Sequence, residues 1–270
     1  MNIVVADDLF WPQETVRFAL AADPATKHHV VTGVRDPEEL RRLPDLGTFG
    51  LAFVDLDFRN TSSKSGLFAL RLLEQFDVRA VVYAADDEDN RALSLMAAFR
   101  FFHPHGLVSK GASSAEIRQA VTVIESGARL DTPAMRRYAR PRGLSYIDRL
   151  LPRVGDLAIW RALARFTDRR TIALAAQVSP RTLDTFLNDR FDIVAEISEA
   201  FHFQAPPATP TPVTPALTAG EARHARLAPL HAFALTHRRF FDDAELEKLL
   251  RERDDGRDPP TAGRGPAARR

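Results

Sequence analysis

Residues 2–8 read NIVVADD, a β-branched run of Ile3, Val4 and Val5 that ends in Ala6 and the acidic pair Asp7-Asp8. Such a run reads as a short buried strand that delivers two carboxylates into the loop after it. Similar runs recur at residues 29–34, 51–54, 80–83 and 106–108, with helical patterns between them at 14–22 and 67–75. Strands alternating with helices predict a doubly wound α/β fold. Its parallel five-stranded sheet is covered on both faces, and ligands bind beyond the carboxyl ends of the strands. A final helix is announced by Ser113 and Glu116 at capping-box spacing; Ile117, Val121 and Ile124 follow at helical intervals until Gly127. The first domain is therefore expected to span residues 1–128.

The full length of 270 residues suits two domains, each large enough to bury a core. With no cysteine, disulfides, thiolate metal sites and a cysteine nucleophile are excluded. The N-terminus has no basic leader, and no stretch approaches about 18 uninterrupted apolar residues, so a soluble cytoplasmic protein without a membrane partner is expected. Net charge is −5 over residues 1–128, +4 over 129–149, zero over 150–203 and +2 over 204–270. The second stretch reads as a basic linker holding Arg136, Arg137, Arg140 and Arg142. This distribution lacks the strong basic footprint of a committed nucleic-acid binder. Residues 150–203 read as a helical domain, and 204–217, with five prolines, as an extended linker. In 218–253, Thr218 with Glu221 and Asp242 with Glu245 suggest short helices, whose Leu227, Leu230, Phe233, Phe240, Phe241, Leu246, Leu249 and Leu250 are too apolar to stay solvated. Residues 254–270, DDGRDPPTAGRGPAARR, read as a disordered tail.

Three features meet at the predicted strand ends: Asp7 and Asp8 after the first, Asp55 after the third, and Lys110 after the fifth. Clustered carboxylates suit a hard divalent cation such as Mg²⁺, and a lysine opposite supplies a compact charge for phosphate oxygens. Asp57 adds a fourth carboxylate that favours a cation and opposes another anion. The order and strand placement resemble the receiver domains of response regulators. Residues 124–135, IESGARLDTPAM, resemble the end of receivers in the NarL/FixJ group, so the likeness covers about residues 2–135. It implies Asp55 as phosphoacceptor, Lys110 as phosphate ligand, and Asp7, Asp8 and Asp55 as holders of a weakly bound Mg²⁺, a metal set that Asp57 joins by its charge alone. A histidine kinase or small phosphodonor would supply the phosphoryl group. A phosphatase reading of Asp55-Leu56-Asp57 as a haloacid-dehalogenase nucleophile motif fits less well, because that motif follows a first strand and here it follows the third.

Departures from the receiver pattern bear on signalling. Ala84 stands where the family places a Ser or Thr that bonds the phosphoryl group, and alanine has no hydroxyl to donate. Leu107 stands in place of the switch Tyr or Phe. After Asp55, Phe58-Arg59 replaces Met-Pro, with about three extra residues before Gly66. The expectation is an atypical receiver that signals weakly through phosphorylation or independently of it.

Residues 167–191 read TDRRTIALAAQVSPRTLDTFLNDRF. Asp168 is a plausible N-cap; Ile172, Ala173 and Ala176 share a helix face; Val178-Ser179 turns; and Pro180 suits the first turn of the next helix. Two helices joined by a tight turn describe a helix-turn-helix. Pro152-Arg153, Ile172-Ala173, Val178-Ser179 and Arg181-Thr182-Leu183 resemble the LuxR-type output of NarL/FixJ regulators. The resemblance implies DNA contacts from Arg169, Arg170, Arg181, Thr182 and Arg190, made by a homodimer. Val154 and Gln177 depart from the family's Glu and Gly, and Phe186 from a common histidine. Asp184, Asp189 and Asp192 offset the arginines and repel phosphates. The expected function is transcription regulation rather than catalysis, and the alternative is an adaptor that holds a protein partner without binding DNA.

Overall fold

The computed structural model describes residues 1–58, 61–85, 91–139, 145–201 and 219–256, the side chains of 219–225 excepted. The described residues fall into two compact units, those of 1–140 together with 251–256, and those of 141–250. No described helix is long and apolar enough to cross a membrane.

In the first unit β1 (Asn2–Ala6), β2 (Val30–Val34), β3 (Phe49–Val54), β4 (Arg79–Ala84) and β5 (Gly106–Ser109) form one sheet in the order β2-β1-β3-β4-β5. Every pairing is parallel. The crossovers are α1 (Phe10–Ala21), α2 (Pro37–Arg42), α3 (Gly66–Gln75) and α4 (Ala92–Phe101), and α5 (Ser114–Glu125) and α6 (Pro133–Tyr138) follow β5. The two-residue period of a strand sends Ile3, Val5, Leu51, Phe53, Val81 and Tyr83 to one face, where they pack with Val16 and Leu20 of α1 and with Ile117, Val121 and Ile124 of α5. Val4, Ala52, Val54, Val82 and Ala84 fall on the opposite face and are also buried, so both faces of the sheet are covered, as in all-parallel sheets generally.

The capping box is present: Ser113 Oγ accepts from Glu116 N at 3.3 Å, and Glu116 Oε2 accepts from Ser113 N at 2.7 Å. Within the segment read as a basic linker, Thr132 caps α6, whose Tyr138 stacks on Phe99 with ring centroids 6.3 Å apart. Arg136 is held there by Asp131, while Arg140 and Arg142 lie outside the described residues.

The second unit is helical, with α7 (Tyr146–Leu150), α8 (Asp156–Leu163), α9 (Arg169–Ala175), α10 (Pro180–Ala200), α11 (Ala219–Thr236), α12 (Arg238–Phe241) and the start of α13 (Ala244–Asp254). Its core forms around the fully buried Trp160, which stacks on Phe241 at 4.8 Å and meets Phe186 edge-on at 5.2 Å. The apolar residues expected to leave solvent are all buried: Leu227, Leu230, Phe233, Phe240, Phe241, Leu246, Leu249 and Leu250. The cap expected from Asp242 comes instead from Asp243, whose carboxylate accepts from Glu245 N at 2.8 Å. Asp242 faces Arg161, Arg165 and Arg238, which hold its carboxylate away from the helix end. Thr218, the Pro-rich stretch 204–217 and residues 257–270 lie outside the described residues.

Candidate functional site

Parallel pairing places the acidic pocket. Each of its residues follows the last residue of a strand, and its backbone N–H continues the ladder to the neighbouring strand. Asp7 N donates to Val34 O at 3.0 Å, Asp55 N to Ala6 O at 2.9 Å and Lys110 N to Ala84 O at 2.8 Å. The side chains therefore converge at the carboxyl end of the sheet. Lys110 Nζ lies 2.6 Å from Asp7 Oδ2 and 2.8 Å from Asp55 Oδ2, and both aspartates are fully buried. The second oxygen of each aspartate meets backbone: Leu9 N donates to Asp7 Oδ1 at 3.0 Å, and Leu56 N to Asp55 Oδ1 at 2.7 Å.

Burial pushes Asp7 up to about 6, with the charge of Asp55 adding to the shift. Asp55 is also raised, mainly by burial and against the pull of Lys110 and Arg91. Asp7, Asp8 and Asp55 bring one carboxylate oxygen each to within 4.8 Å of the others, a donor set that fits a hard divalent cation. Asp57 does not bring its carboxylate into that group; its backbone N–H bonds Asp55 instead.

Several pocket residues carry no motif. Arg91 places Nη1 3.1 Å from Asp55 Oδ1 and is 8% exposed, which puts a second cation on the acceptor. Nothing in its spacing marked it, because it stands at the start of an apolar helix beyond a run of acidic residues. Gln13 is buried and donates to Asp7 O at 2.8 Å and Val34 O at 3.1 Å, tying the backbone just after β1 to the end of β2. Gly66 opens α3 directly beneath the acceptor. A Cβ there would lie 2.3 Å from Asp55 O and 2.5 Å from Leu56 Cα, closer than a side chain can approach backbone. Tyr83 is fully buried, and burial together with the nearby Asp7 pushes its hydroxyl up to about 12.

In the second unit Asp168 caps α9 by accepting from Thr171 N at 2.8 Å, and Ser179 caps α10 by accepting from Thr182 N at 3.0 Å. Gln177 turns the chain between the two helices at φ 56°, the left-handed conformation that favours the glycine it replaces. Phe186 is a core residue against Trp160, which accounts for its departure from a polar type. Of the five predicted DNA contacts, Arg170, Arg181 and Thr182 are exposed. Arg169 is paired with Asp184. Arg190 lies 3.3 Å from Asp156 and over the Phe186 ring, with a side chain 12% exposed, so it packs inside the unit and is not displayed on its face. Asp189 and Asp192 are exposed on the same helix.

No protein-family model and no curated protein matches the chain. Among solved structures it is similar to the response regulator RcsB of Salmonella typhimurium, at 18% identity and a TM-score of 0.50, covering 73% of this chain and 93% of that one. It is also similar to ChrA, a response regulator of a heme-sensing two-component system, at 18% identity and a TM-score of 0.41, covering 74% of this chain and 94% of that one. A LuxR-family two-component response regulator from Aurantimonas sp. shares 25% identity at a TM-score of 0.41, covering 51% of this chain and 94% of that one. With the sheet order and strand-end pocket above, the RcsB likeness gives the chain the fold of a response regulator, a receiver followed by a helical domain.

Proposed function

We propose that this chain is a response-regulator-type transcription regulator whose receiver signals weakly through phosphorylation of Asp55, or independently of it. The observation that carries the reading is the placement of Lys110 between Asp7 and Asp55 at adjoining strand ends, while β4 ends in Ala84. The first feature is the arrangement needed to receive a phosphoryl group. The second removes the hydroxyl that would bond it and report its arrival. A histidine kinase or small phosphodonor, weak Mg²⁺ binding and a cytoplasmic location belong to the same reading. The RcsB structure is described in terms of DNA interaction. On this chain the DNA contacts would come from Arg181 and Thr182 at the start of α10, with Arg170 of α9 beside them. A homodimer would add a second half-site and raise avidity without a new kind of contact.

A specific observation favours the alternative of a protein-binding adaptor: Arg169 and Arg190 are consumed by Asp184 and Asp156, which leaves Asp189 and Asp192 exposed on α10. Binding of the full chain to total genomic fragments at two salt concentrations separates the readings. If DNA is the partner, Arg181→Ala should weaken binding by about 1–3 kcal/mol where it reads a base. Asp184→Asn should strengthen binding by releasing Arg169. If neither substitution changes binding to any fragment, the adaptor reading stands in its place.

A further inference from the structure

The pocket holds two fully buried carboxylates, Asp7 and Asp55, and two cations within reach of them, Lys110 and Arg91. We infer that Arg91 is a resident counter-ion that occupies the electrostatic place of a divalent metal, so that Mg²⁺ binds here only in competition with this arginine. The inference rests on the receiver reading of the pocket and is independent of what the second unit binds.

Buried charges persist only when they are paired. Lys110 alone would leave the Asp7–Asp55 pair with a net negative charge, a standing attraction for a cation from solution. The Arg91 guanidinium, 3.1 Å from Asp55 Oδ1, offsets the second of these two buried charges, while Asp8, the third carboxylate of the cluster, is only half-buried and keeps contact with solvent. Arginine suits this position better than lysine because its charge is delocalised, weakly hydrated and never lost to deprotonation. Both oxygens of Asp55 are consequently engaged by cations, Oδ1 by Arg91 and Oδ2 by Lys110.

The position of Arg91 in the chain makes displacement costly. It is the N-cap residue of α4, nine of whose ten residues are buried, so the backbone that carries it is anchored, and its guanidinium, 8% exposed as a residue, must leave a buried ion pair to make room for a metal. A metal must overcome both the ion pair and that packing. The three carboxylates that fit Mg²⁺ by chemistry are thereby held in a metal-independent state.

Titration calorimetry of the full chain with Mg²⁺ and with Mn²⁺ tests the inference, comparing wild type, Arg91→Gln and Arg91→Lys. Removing the cation should tighten metal binding on the order of tenfold or more, because a unit charge a few ångströms away is only partly screened in a buried site. Arg91→Lys, which keeps the charge, should stay close to wild type. Asp55→Asn added to Arg91→Gln should abolish the gain, which locates the metal in this pocket. Wild type should also melt at the same temperature in Mg²⁺ as in chelator, a readout that needs no variant to fold. Equal metal affinity in wild type and Arg91→Gln, an equal gain in Arg91→Lys, or a Mg²⁺-dependent rise of several degrees in wild-type melting would each overturn it. A failure of the regulator reading would show in fragment binding and leave these metal titrations unchanged.

Discussion

His237 sits almost fully buried beside Phe233, its ring centroid 4.5 Å from that of the phenylalanine, and burial pushes it down to about 4. A histidine depressed in the folded state is neutral there, whereas in the unfolded chain it takes up a proton below about 6.5. Its stabilising contribution is therefore complete above about 6.5 and is lost as pH falls toward 4. Between about pH 7 and about pH 5 the second unit should lose on the order of 2 kcal/mol through this residue, and His237→Leu should remove that slope. Thermal unfolding followed by Trp160 fluorescence in a Trp11→Phe background measures the difference between the two proteins. Equal pH dependence in both would refute the assignment. At this scale Asp7, Asp55 and Lys110 were legible in the sequence because each directly follows a strand, and a parallel sheet brings strand ends together. Arg91 and His237 were not, since long-range packing alone decides which cation reaches Asp55 and which imidazole is buried.

Gln177 shows at the scale of elements what the helix-turn-helix pattern conveyed and what it could not. The spacing located the two helices and their caps, Asp168 and Ser179, because short polar side chains before a helix have a local mechanism. Replacement of the family's glycine by glutamine was equally visible, and its consequence is a non-glycine residue at φ 56°. Gln177→Gly should stabilise the second unit by about 0.5–1 kcal/mol, because the left-handed conformation is penalised for a residue with a Cβ. Denaturant unfolding of both forms measures it, and a destabilised glycine variant would mean that the Gln177 side chain makes an offsetting contact. α4 was illegible for a different reason: a helix buried nearly all round has no polar face, so its apolar run lacks the amphipathic period that reveals helices such as α5. The face of α10 was half legible. Its acidic residues were countable from sequence, but the pairings of Asp184 with Arg169 and of Asp156 with Arg190 required the fold.

At the scale of the whole chain, the alternation of strands and helices located the receiver, and the apolar positions of residues 227–250 marked segments that the structure buries. The end of the first unit was harder to read, because Thr132 and Pro133 begin a helix inside a stretch whose basic composition resembled a linker. Under the proposed reading, a pocket in which Lys110 and Arg91 already engage Asp55, beside a strand that ends in Ala84, passes an acyl phosphate on as a conformational change weakly or not at all. The direct measurement treats the full chain with Mg²⁺ and a small phosphodonor, reads occupancy of Asp55 by mass, and follows oligomeric state by sedimentation and fragment affinity in parallel. No new oligomer and an affinity unchanged within about twofold are expected, with Asp55→Asn behaving as wild type. A phosphodonor-driven change of about tenfold or more in affinity, or a new oligomer, that disappears in Asp55→Asn would contradict it.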